Sequence, residues 1–472
     1  MATFSIENFG CRATEPDAAA IRRELIAGGF AHSAEHTRAD VVVLNTCTVT
    51  AAADSQSREA IRKIHRANPS AKIIVTGCYA QRAPEELAAL EGVSWVVGNS
   101  HQAQIPGVIR EMIQSTGGTS AAPNFIPLAR LEDEPMSLAR GQAKILTGDI
   151  FAQADVQILS SGLADTDRTR PILKIQDGCN NRCSYCVIPF VRGRSRSLPP
   201  GAVVEEVARL VAAGVKEIVL SGINLGAYGR DLAPRVELAS VVRRILDETA
   251  LEQLRFSSIE PQDVTEDFVA LAASSARIAP HFHVPLQSGS DRILRAMHRW
   301  YRAEHYAERM QIIHRYLADA AIGADVIVGF PGETEDDFQA TVDFIERLPF
   351  TYLHVFSFSE RPGTGAARLG ERVVHNVIRE RARYLRALGE KKSAEFRASL
   401  AARNVRALTL GRSTDQWTEA LTGNYLKVRV RGRHSANEWC EVIVPAGRND
   451  VAEISAPPLP LSPIETATAA YS

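Results

Sequence analysis

The stretch Cys179-Asn180-Asn181-Arg182-Cys183-Ser184-Tyr185-Cys186 decides how this 472-residue chain is organised. Its three thiols have the spacing C-x3-C-x2-C and follow the apolar run Ile172–Gln176, so the sequence predicts a strand that ends in a cysteine-bearing turn. Cysteine thiolates ligate iron–sulfur clusters, and a cubane cluster usually takes four of them. Three thiols would therefore leave one iron open for a small molecule. A zinc site, which needs a fourth ligand at short spacing, and three unrelated buried cysteines are the alternatives.

The segment Gln176–Ser197 resembles the cluster loop of radical S-adenosylmethionine (SAM) enzymes, and specifically of the methylthiotransferases. The resemblance implies a 4Fe-4S cluster on Cys179, Cys183 and Cys186, with SAM on the open iron. It also implies that one electron from the cluster splits SAM into methionine and a 5′-deoxyadenosyl radical. In such enzymes the cofactor carries the difficult chemistry and the protein positions it.

Composition bounds the class of protein. A chain of 472 residues with 45% apolar residues is expected to form two or three domains. Its formal net charge of −1 predicts that any nucleic-acid surface comes from local clustering of cations. We expect neither a signal peptide nor a membrane span, because the first residues lack a basic segment and no apolar run reaches spanning length. Seven cysteines then indicate a reducing compartment, and we predict a cytoplasmic protein.

Residues 1–115 alternate short β-type runs with amphipathic helical stretches, which predicts an N-terminal parallel α/β domain. The predicted strands are Thr3–Asn8, Asp40–Asn45 and Lys72–Thr76. Each is followed by a cysteine, namely Cys11, Cys47 and Cys78. Because sites form at the carboxyl ends of parallel strands, we expect the three thiols to meet at one edge of the sheet. For each cysteine alone, an inert core residue is the alternative.

The sequence around these cysteines, including Asn45–Thr50 and Thr76–Gln81, resembles the N-terminal domain of the methylthiotransferases. The resemblance implies that Cys11, Cys47 and Cys78 hold a second, auxiliary 4Fe-4S cluster. Residues 116–167, in which the periodicity fades, are predicted to be a linker.

Residues 168–401 repeat a strand–helix unit six times, which predicts a partial TIM-like (β/α)6 barrel, as the resemblance to radical SAM enzymes also implies. The predicted strands are Ile172–Gln176, Glu217–Ser221, Arg255–Ser258, His281–Leu286, Asp325–Gly329 and Tyr352–Phe356. Active sites of barrels lie at the carboxyl ends of the strands. The strand-end sequences match SAM-side motifs of the family, and the resemblance implies SAM or substrate contacts from Tyr185, Ser221, Glu260 and Gln287. Turn formation is the alternative for the serine.

Two groups of side chains stay ambiguous in the sequence. His281 and His283 face one side of a predicted strand, and core hydrogen bonding is favoured over metal ligation. Arg192, Arg194 and Arg196 alternate just beyond the cluster loop. They are interpreted either as a solvated loop or as a contact with a phosphate or the SAM carboxylate, for which a guanidinium is suited.

Residues 402–446 are predicted to form a small β-barrel that resembles the TRAM module, an RNA-binding domain of many tRNA methylthiotransferases. Cations alternate along one of its predicted strands at Lys427, Arg429, Arg431 and Arg433. Such a row can follow a phosphate backbone, although it could instead pack beside acidic parts of the barrel. Residues 447–472, rich in Ala, Pro and Ser, are predicted to be a disordered tail.

The resemblance is best for methylthiotransferases that act on N6-threonylcarbamoyladenosine (t6A) next to the tRNA anticodon. It implies C2-methylthiolation of that base, with tRNA as substrate, a reducing partner such as a flavodoxin, and neither DNA nor a membrane as partner. Methylthiolation of isopentenyladenosine in tRNA or of a ribosomal protein is the alternative within the family. A non-catalytic iron–sulfur RNA-binding or redox-sensing protein is the alternative of another class, and two cysteine triads that each leave an iron open argue against it.

Overall fold

The computed structural model describes residues 2–10, 14–116, 143–153, 159–160 and 169–456. A parallel α/β unit comes first, a partial barrel of β/α units follows, and a small curled β-sheet ends the described chain. This is the predicted fold class, which is confirmed. Cys11 and most of the predicted linker lie outside the described residues.

The N-terminal unit is a six-stranded parallel sheet in the order β2-β1-β3-β4-β5-β6. Its strands are β1 (Thr3–Phe9), β2 (Ala31–His32), β3 (Val41–Thr46), β4 (Lys72–Gly77), β5 (Val93–Gly98) and β6 (Lys144–Leu146). Its helices are α1 (Thr14–Ala27), α2 (Ala51–Ala67), α3 (Cys78–Arg82), α4 (Pro84–Ala88) and α5 (Ile105–Thr116). The central strands are apolar runs because helices cover both faces of the sheet.

One predicted boundary in this unit is wrong. β6 pairs with β5 and belongs to the sheet, although it lies inside the stretch predicted to be a linker. A three-residue edge strand is too short to show a β-type period in the sequence.

The second unit carries the six predicted barrel strands, all parallel. They are β8 (Ile172–Asp177), β10 (Glu217–Gly222), β11 (Gln253–Phe256), β12 (His281–His283), β13 (Ala321–Val328) and β14 (Tyr352–Ser357). A parallel bridge between Ser258 and His283 joins the first three strands to the last three. Two short strands, β7 (Leu159–Ser160) and β9 (Arg196–Ser197), pair antiparallel with β8. Within the described part of the chain β14 pairs only with β13, so the barrel is open on that side.

Helices surround the barrel and bury one continuous apolar core. They are α6 (Ile188–Arg192), α7 (Pro200–Ala212), α8 (Leu238–Glu248), α9 (Glu266–Ala273), α10 (Asp291–Ala296), α11 (Ala303–Tyr316), α12 (Glu335–Arg347) and α13 (His375–Leu400). α12 begins with a capping box, in which Thr334 and Asp337 each bond the other's backbone. None of the helices in the described ranges combines the length and apolar character needed to cross a membrane.

The C-terminal unit is a curled six-stranded sheet in the order β19-β17-β16-β15-β18-β20. Its strands are β15 (Asn404–Ser413), β16 (Trp417–Thr422), β17 (Lys427–Arg431), β18 (Trp439–Ile443), β19 (Val451–Ala452) and β20 (Ile454–Ala456). β19 and β20 fall in the stretch predicted to be a disordered tail, so that prediction is wrong for residues 451–456. Short edge strands in an Ala/Pro/Ser-rich sequence give little periodic signal. Residues 457–472 lie outside the described chain.

Candidate cluster and substrate site

The cysteine loop follows β8 at the mouth of the barrel, as predicted. The Cys179 amide donates to the carbonyl oxygen of Gly193 at 3.1 Å, and the Ser184 amide donates to that of Met297 at 3.0 Å. A further backbone bond from Cys186 to Cys183, at 3.1 Å, closes a turn between the last two thiols. The loop is therefore fixed at both ends, and its three cysteines are half-buried.

The three thiols form a donor set that suits a cluster. Burial, with the neighbouring Cys183 thiol adding to it, raises the pKa of Cys179 to about 11 and that of Cys186 to about 12. Without a metal the loop therefore holds thiols, whereas iron would stabilise the thiolates that ligate it. The Asn181 amide lies 3.4 Å from the Cys179 sulfur, and Arg299 Nη1 lies 3.3 Å from the Cys183 sulfur. Such donors stabilise sulfur ligands of iron–sulfur clusters.

Two cysteines of the N-terminal triad meet at the carboxyl edge of its sheet. Cys47 follows β3 and Cys78 follows β4, and the strand ends Thr46 and Gly77 are paired in register. Both cysteines are buried. The Cys78 sulfur accepts hydrogen bonds from Arg192 Nε at 3.3 Å and from Asn99 Nδ2 at 3.6 Å. The expected convergence thus holds for Cys47 and Cys78, while Cys11 lies outside the described residues.

Arg192 connects the two cysteine-bearing units. It is buried and belongs to the barrel, yet its guanidinium pairs with Asp17 of α1 at 2.8 Å and with Asp177 of β8 at 3.2 Å. Lys174 pairs with the same two carboxylates. Burial acts to raise the pKa of Asp177, but Lys174 and Arg192 hold it well below its usual range. Two cations and two carboxylates thus form a buried network between the domains.

This network corrects the interpretation of the arginines beyond the cluster loop. Arg192 is neither solvated nor available to a phosphate, because its guanidinium is occupied by buried carboxylates. Arg196 is also buried, and its Nη1 lies 3.4 Å from the Gln153 carbonyl oxygen. Arg194 alone of the three is exposed. The three arginines do not form a row of cations, because Arg192 ends α6, Arg194 lies in the turn that follows and only Arg196 belongs to β9.

A second ion-pair cluster joins the domains beside Cys47. Arg361, which follows β14, pairs with Asp54 of α2, and Arg82 pairs with the same carboxylate at 3.0 Å. The hydroxyl of Thr48, the residue after Cys47, donates to Asp54 at 2.6 Å. The segment after Cys47 is therefore held by a side chain from the barrel, which the sequence did not indicate.

Glu260 lies beside the cluster loop, as expected. Its carboxylate pairs with Arg299, the same guanidinium that contacts the Cys183 sulfur. Burial raises the pKa of Glu260 despite the opposing effect of Arg299. Arg299 is a site residue that sequence reasoning missed, because a lone arginine after a short helix carries no distinctive pattern.

The other three predicted SAM contacts occupy different environments. Gln287 sits at the mouth with a left-handed backbone, φ 68°, and its carbonyl oxygen accepts from the Ile327 amide at 2.9 Å. A non-glycine residue in this region is uncommon and often marks a functional site. Ser221 is buried in β10 and pairs in register with Lys174. Tyr185 packs against an apolar cluster that contains Met297 and Phe330.

The two histidines of β12 have polar partners. His281 Nε2 lies 2.8 Å from the Tyr352 hydroxyl, which is the core hydrogen bonding that the sequence favoured. His283 Nδ1 lies 2.7 Å from Ser258 Oγ, and its Nε2 lies 3.1 Å from Asp325. His354 Nδ1 lies 3.2 Å from the same carboxylate oxygen. Asp325 and His354 were not among the predicted site residues.

The cationic row of the C-terminal unit is present on β17. Lys427, Arg429 and Arg431 alternate on it, and Arg433 lies just beyond the strand. The first two line a cavity of about 350 Å³ together with Arg412, Glu419, Val428, Arg448 and Asn449. Arg412 and Arg429 both lie over the Trp417 ring, at 5.7 and 4.7 Å. Glu419 and Glu453 pair with Lys427 and Arg431, so the charge of the row is partly offset.

Comparison with known proteins agrees with this architecture. A family model described as "Uncharacterized protein family UPF0004" matches residues 3–98, and the "Radical SAM superfamily" model matches residues 173–345. Among solved structures, the radical SAM methyltransferase TsrM from Kitasatospora setae, with cobalamin and a 4Fe-4S cluster bound, is similar in fold. Its TM-score is 0.56 at 18% identity, with 78% of this chain and 77% of that chain covered.

Curated relatives match over nearly the full length. The chain is 35% identical to the threonylcarbamoyladenosine tRNA methylthiotransferase MtaB of Aquifex aeolicus, covering 93% of this chain and 99% of the relative. It is 37% identical to MtaB of Bacillus subtilis, covering 92% and 91%. A tRNA-2-methylthio-N(6)-dimethylallyladenosine synthase of Thermobifida fusca is 34% identical, covering 86% and 77%. The chain therefore belongs to the radical SAM methylthiotransferase family, whose members use SAM and 4Fe-4S clusters.

Proposed function

We propose that the protein adds a methylthio group to C2 of N6-threonylcarbamoyladenosine next to the anticodon of tRNA. One observation carries the proposal. The Asp17–Arg192–Asp177 network joins the N-terminal unit to the barrel, and each of these two units bears cysteines near the interface. The substrate assignment is supported by the MtaB relatives, which cover almost the entire chain.

In this proposal Cys179, Cys183 and Cys186 hold the SAM-binding cluster, and Cys11, Cys47 and Cys78 hold the auxiliary cluster. The clusters and SAM, when bound, supply the one-electron chemistry and the sulfur that an adenine C2–H bond requires. No ordinary side-chain base removes that proton usefully near neutral pH. The task of the chain is therefore to bind the clusters, SAM and the tRNA, to orient them and to exclude water.

The side chains at the mouth have separate tasks. Glu260, held by Arg299, presents a carboxylate that suits the amino group of SAM, and Arg299 also neutralises charge at the Cys183 sulfur. Gln287, Ser221 and Tyr185 line the same end of the barrel and complete the SAM pocket. Arg192 and Asn99 donate to the Cys78 sulfur and orient the auxiliary ligand.

We further propose that a small reducing protein such as a flavodoxin supplies the electron, and that the enzyme works in the cytoplasm. In this proposal six of the seven cysteines are iron ligands and not disulfide partners, which suits a reducing compartment. The dimethylallyladenosine-specific relative is similar at almost the same identity, so the substituent on N6 must be tested directly. Purified, cluster-loaded protein with SAM and a reductant is given tRNA that carries either t6A or isopentenyladenosine, and the nucleosides are identified by mass spectrometry.

The basic surface of the C-terminal unit, formed by Arg412, Lys427 and Arg429, is expected to bind the tRNA backbone. Replacing Arg412, Lys427 and Arg429 by alanine should weaken tRNA binding and lower the slope of log K against log salt by up to about three, roughly one for each phosphate that no longer has a cation beside it. SAM cleavage without tRNA should not change, because the barrel carries that chemistry. Filter binding at several salt concentrations measures the slope.

The matched control removes equal charge from α2, by replacing the exposed Arg62, Lys63 and Arg66 with alanine. If tRNA binding by the wild type and by the Arg412/Lys427/Arg429 variant had equal salt slopes, this surface would not be the tRNA-binding surface.

A further inference from the structure

The last barrel strand, β14, turns different side chains to the two sides of the barrel. Leu353 and Val355 face outward and pack against the apolar core between the strands and the surrounding helices. A Cβ atom added at Gly389 of α13 would lie 3.2 Å from the Leu353 Cβ, so the strand and the helix are in close contact. Tyr352, His354 and Phe356 alternate with the two outward residues and face inward. Their register partners on β13 are Gly323, Asp325 and Ile327.

Two of these inward side chains are left open to solvent. Phe356 is 43% exposed, and the His354 side chain is 47% exposed. An aromatic ring on the inner face of a barrel is normally covered by the opposite wall, but β14 is the strand at the open side. The Phe356 ring and the His354 imidazole are therefore accessible to solvent on the inner face of β14.

The segment that follows β14 contacts both cysteine-bearing units. The chain continues from Phe356 to Phe358, which packs in the apolar cluster that contains Tyr185 of the cluster loop. The next residue, Ser359, accepts a hydrogen bond at 2.9 Å from the Ala51 amide, four residues after Cys47. Phe356 therefore stands two residues before a segment that contacts both cysteine-bearing units.

The contact between His354 and Asp325 fixes which atom donates and which accepts a hydrogen bond. Burial acts to raise the pKa of Asp325, but the adjacent His283 and His354 side chains hold it well below its usual range. The ionised carboxylate can only accept, so His354 donates through Nδ1. In the neutral imidazole this leaves Nε2 as an acceptor on the inner face.

We propose that Phe356 and His354 hold the target adenine, Phe356 by stacking on the base and His354 by accepting a hydrogen bond from an N–H of its N6 substituent. This inference rests on the proposed function and names residues that distinguish the substituted purine. Enzymes that modify a base in RNA take it out of the stack and hold it against aromatic and polar side chains.

The test compares variants on t6A-containing tRNA. Phe356→Ala should lower kcat/KM for tRNA about tenfold or more, the range that base–aromatic stacking usually supplies, and Phe356→Trp should restore most of it. SAM cleavage without tRNA should stay at the wild-type rate. Tyr384→Ala is the control, because Tyr384 is a similarly exposed aromatic residue on α13 that packs against Phe338 of α12, outside the barrel.

A second arm isolates His354. Binding of anticodon stem-loop RNA with t6A or with plain adenosine is measured by filter binding, and His354→Ala should reduce the preference for t6A by about tenfold, the effect of an unmade hydrogen bond. If the wild-type protein neither binds nor modifies t6A-containing RNA, both the proposed function and this inference are wrong.

Two results would overturn the inference while leaving the proposed function intact. The first is a Phe356→Ala variant with wild-type kcat/KM on a tRNA that the wild type modifies. The second concerns His283, Asp325 and His354, whose donor atoms all lie within 4.8 Å of one another and could hold a metal ion. One zinc per chain after dialysis against Zn²⁺, absent from His354→Ala with the iron content unchanged, would make these residues a metal site.

Discussion

Alanine at Cys179, Cys183 and Cys186 is expected to remove about half of the bound iron and all cleavage of SAM. Each cysteine triad supplies its own thiolates from a separate folding unit, so the loss of one cluster should not empty the other. Iron per chain and 5′-deoxyadenosine release, both measured after anaerobic reconstitution, report the two effects separately.

Alanine at Cys11, Cys47 and Cys78 is the companion variant. It should also keep about half of the iron, but SAM cleavage should continue while methylthiolation stops, since the proposed sulfur donor is gone. If either triple variant kept the full wild-type iron content, the two-cluster assignment would be wrong.

Arg192→Ala is expected to destabilise the junction between the domains by about 3–5 kcal/mol, the usual effect of removing one member of a buried ion pair. Asp17 and Asp177 would then share a single cation, Lys174, in a largely buried site. The same substitution removes a donor from the Cys78 sulfur. Urea unfolding of cluster-free protein measures the first effect, and iron retained by reconstituted protein measures the second.

Arg194→Ala is the matched control, because Arg194 is exposed and stands only two residues away. It should unfold like the wild type. An Arg192→Ala protein with wild-type unfolding and a full iron content would show that the network neither holds the domains together nor supports the auxiliary cluster.

The repeating elements could be predicted from the sequence because their signals are periodic. All six barrel strands stand within a few residues of their predicted positions, and β3 and β4 end beside Cys47 and Cys78 as expected. These runs are apolar and β-branched, and each is followed by a turn or a helix with its own pattern. Elements of two or three residues, such as β6 and β19, carry no such period.

The contacts between units could not be predicted, because they depend on tertiary packing. Nothing near Asp17 in the sequence indicates that it will meet Arg192, and nothing near Asp54 points to Arg361. A buried arginine and a solvated one look alike in a polar loop. The polar site on the inner face of β14 could not be predicted for a related reason, because it depends on the contact of His354 with Asp325 on the neighbouring strand.

The central claim, radical methylthiolation of t6A, is tested most directly by following the hydrogen at C2 of the target base. Purified protein with both clusters, SAM and dithionite is given t6A-containing tRNA that carries deuterium at C2, and both products are analysed by mass spectrometry. We expect the deuterium in 5′-deoxyadenosine and a methylthio group in its place on the base. Unlabelled 5′-deoxyadenosine together with unchanged t6A would contradict the claim.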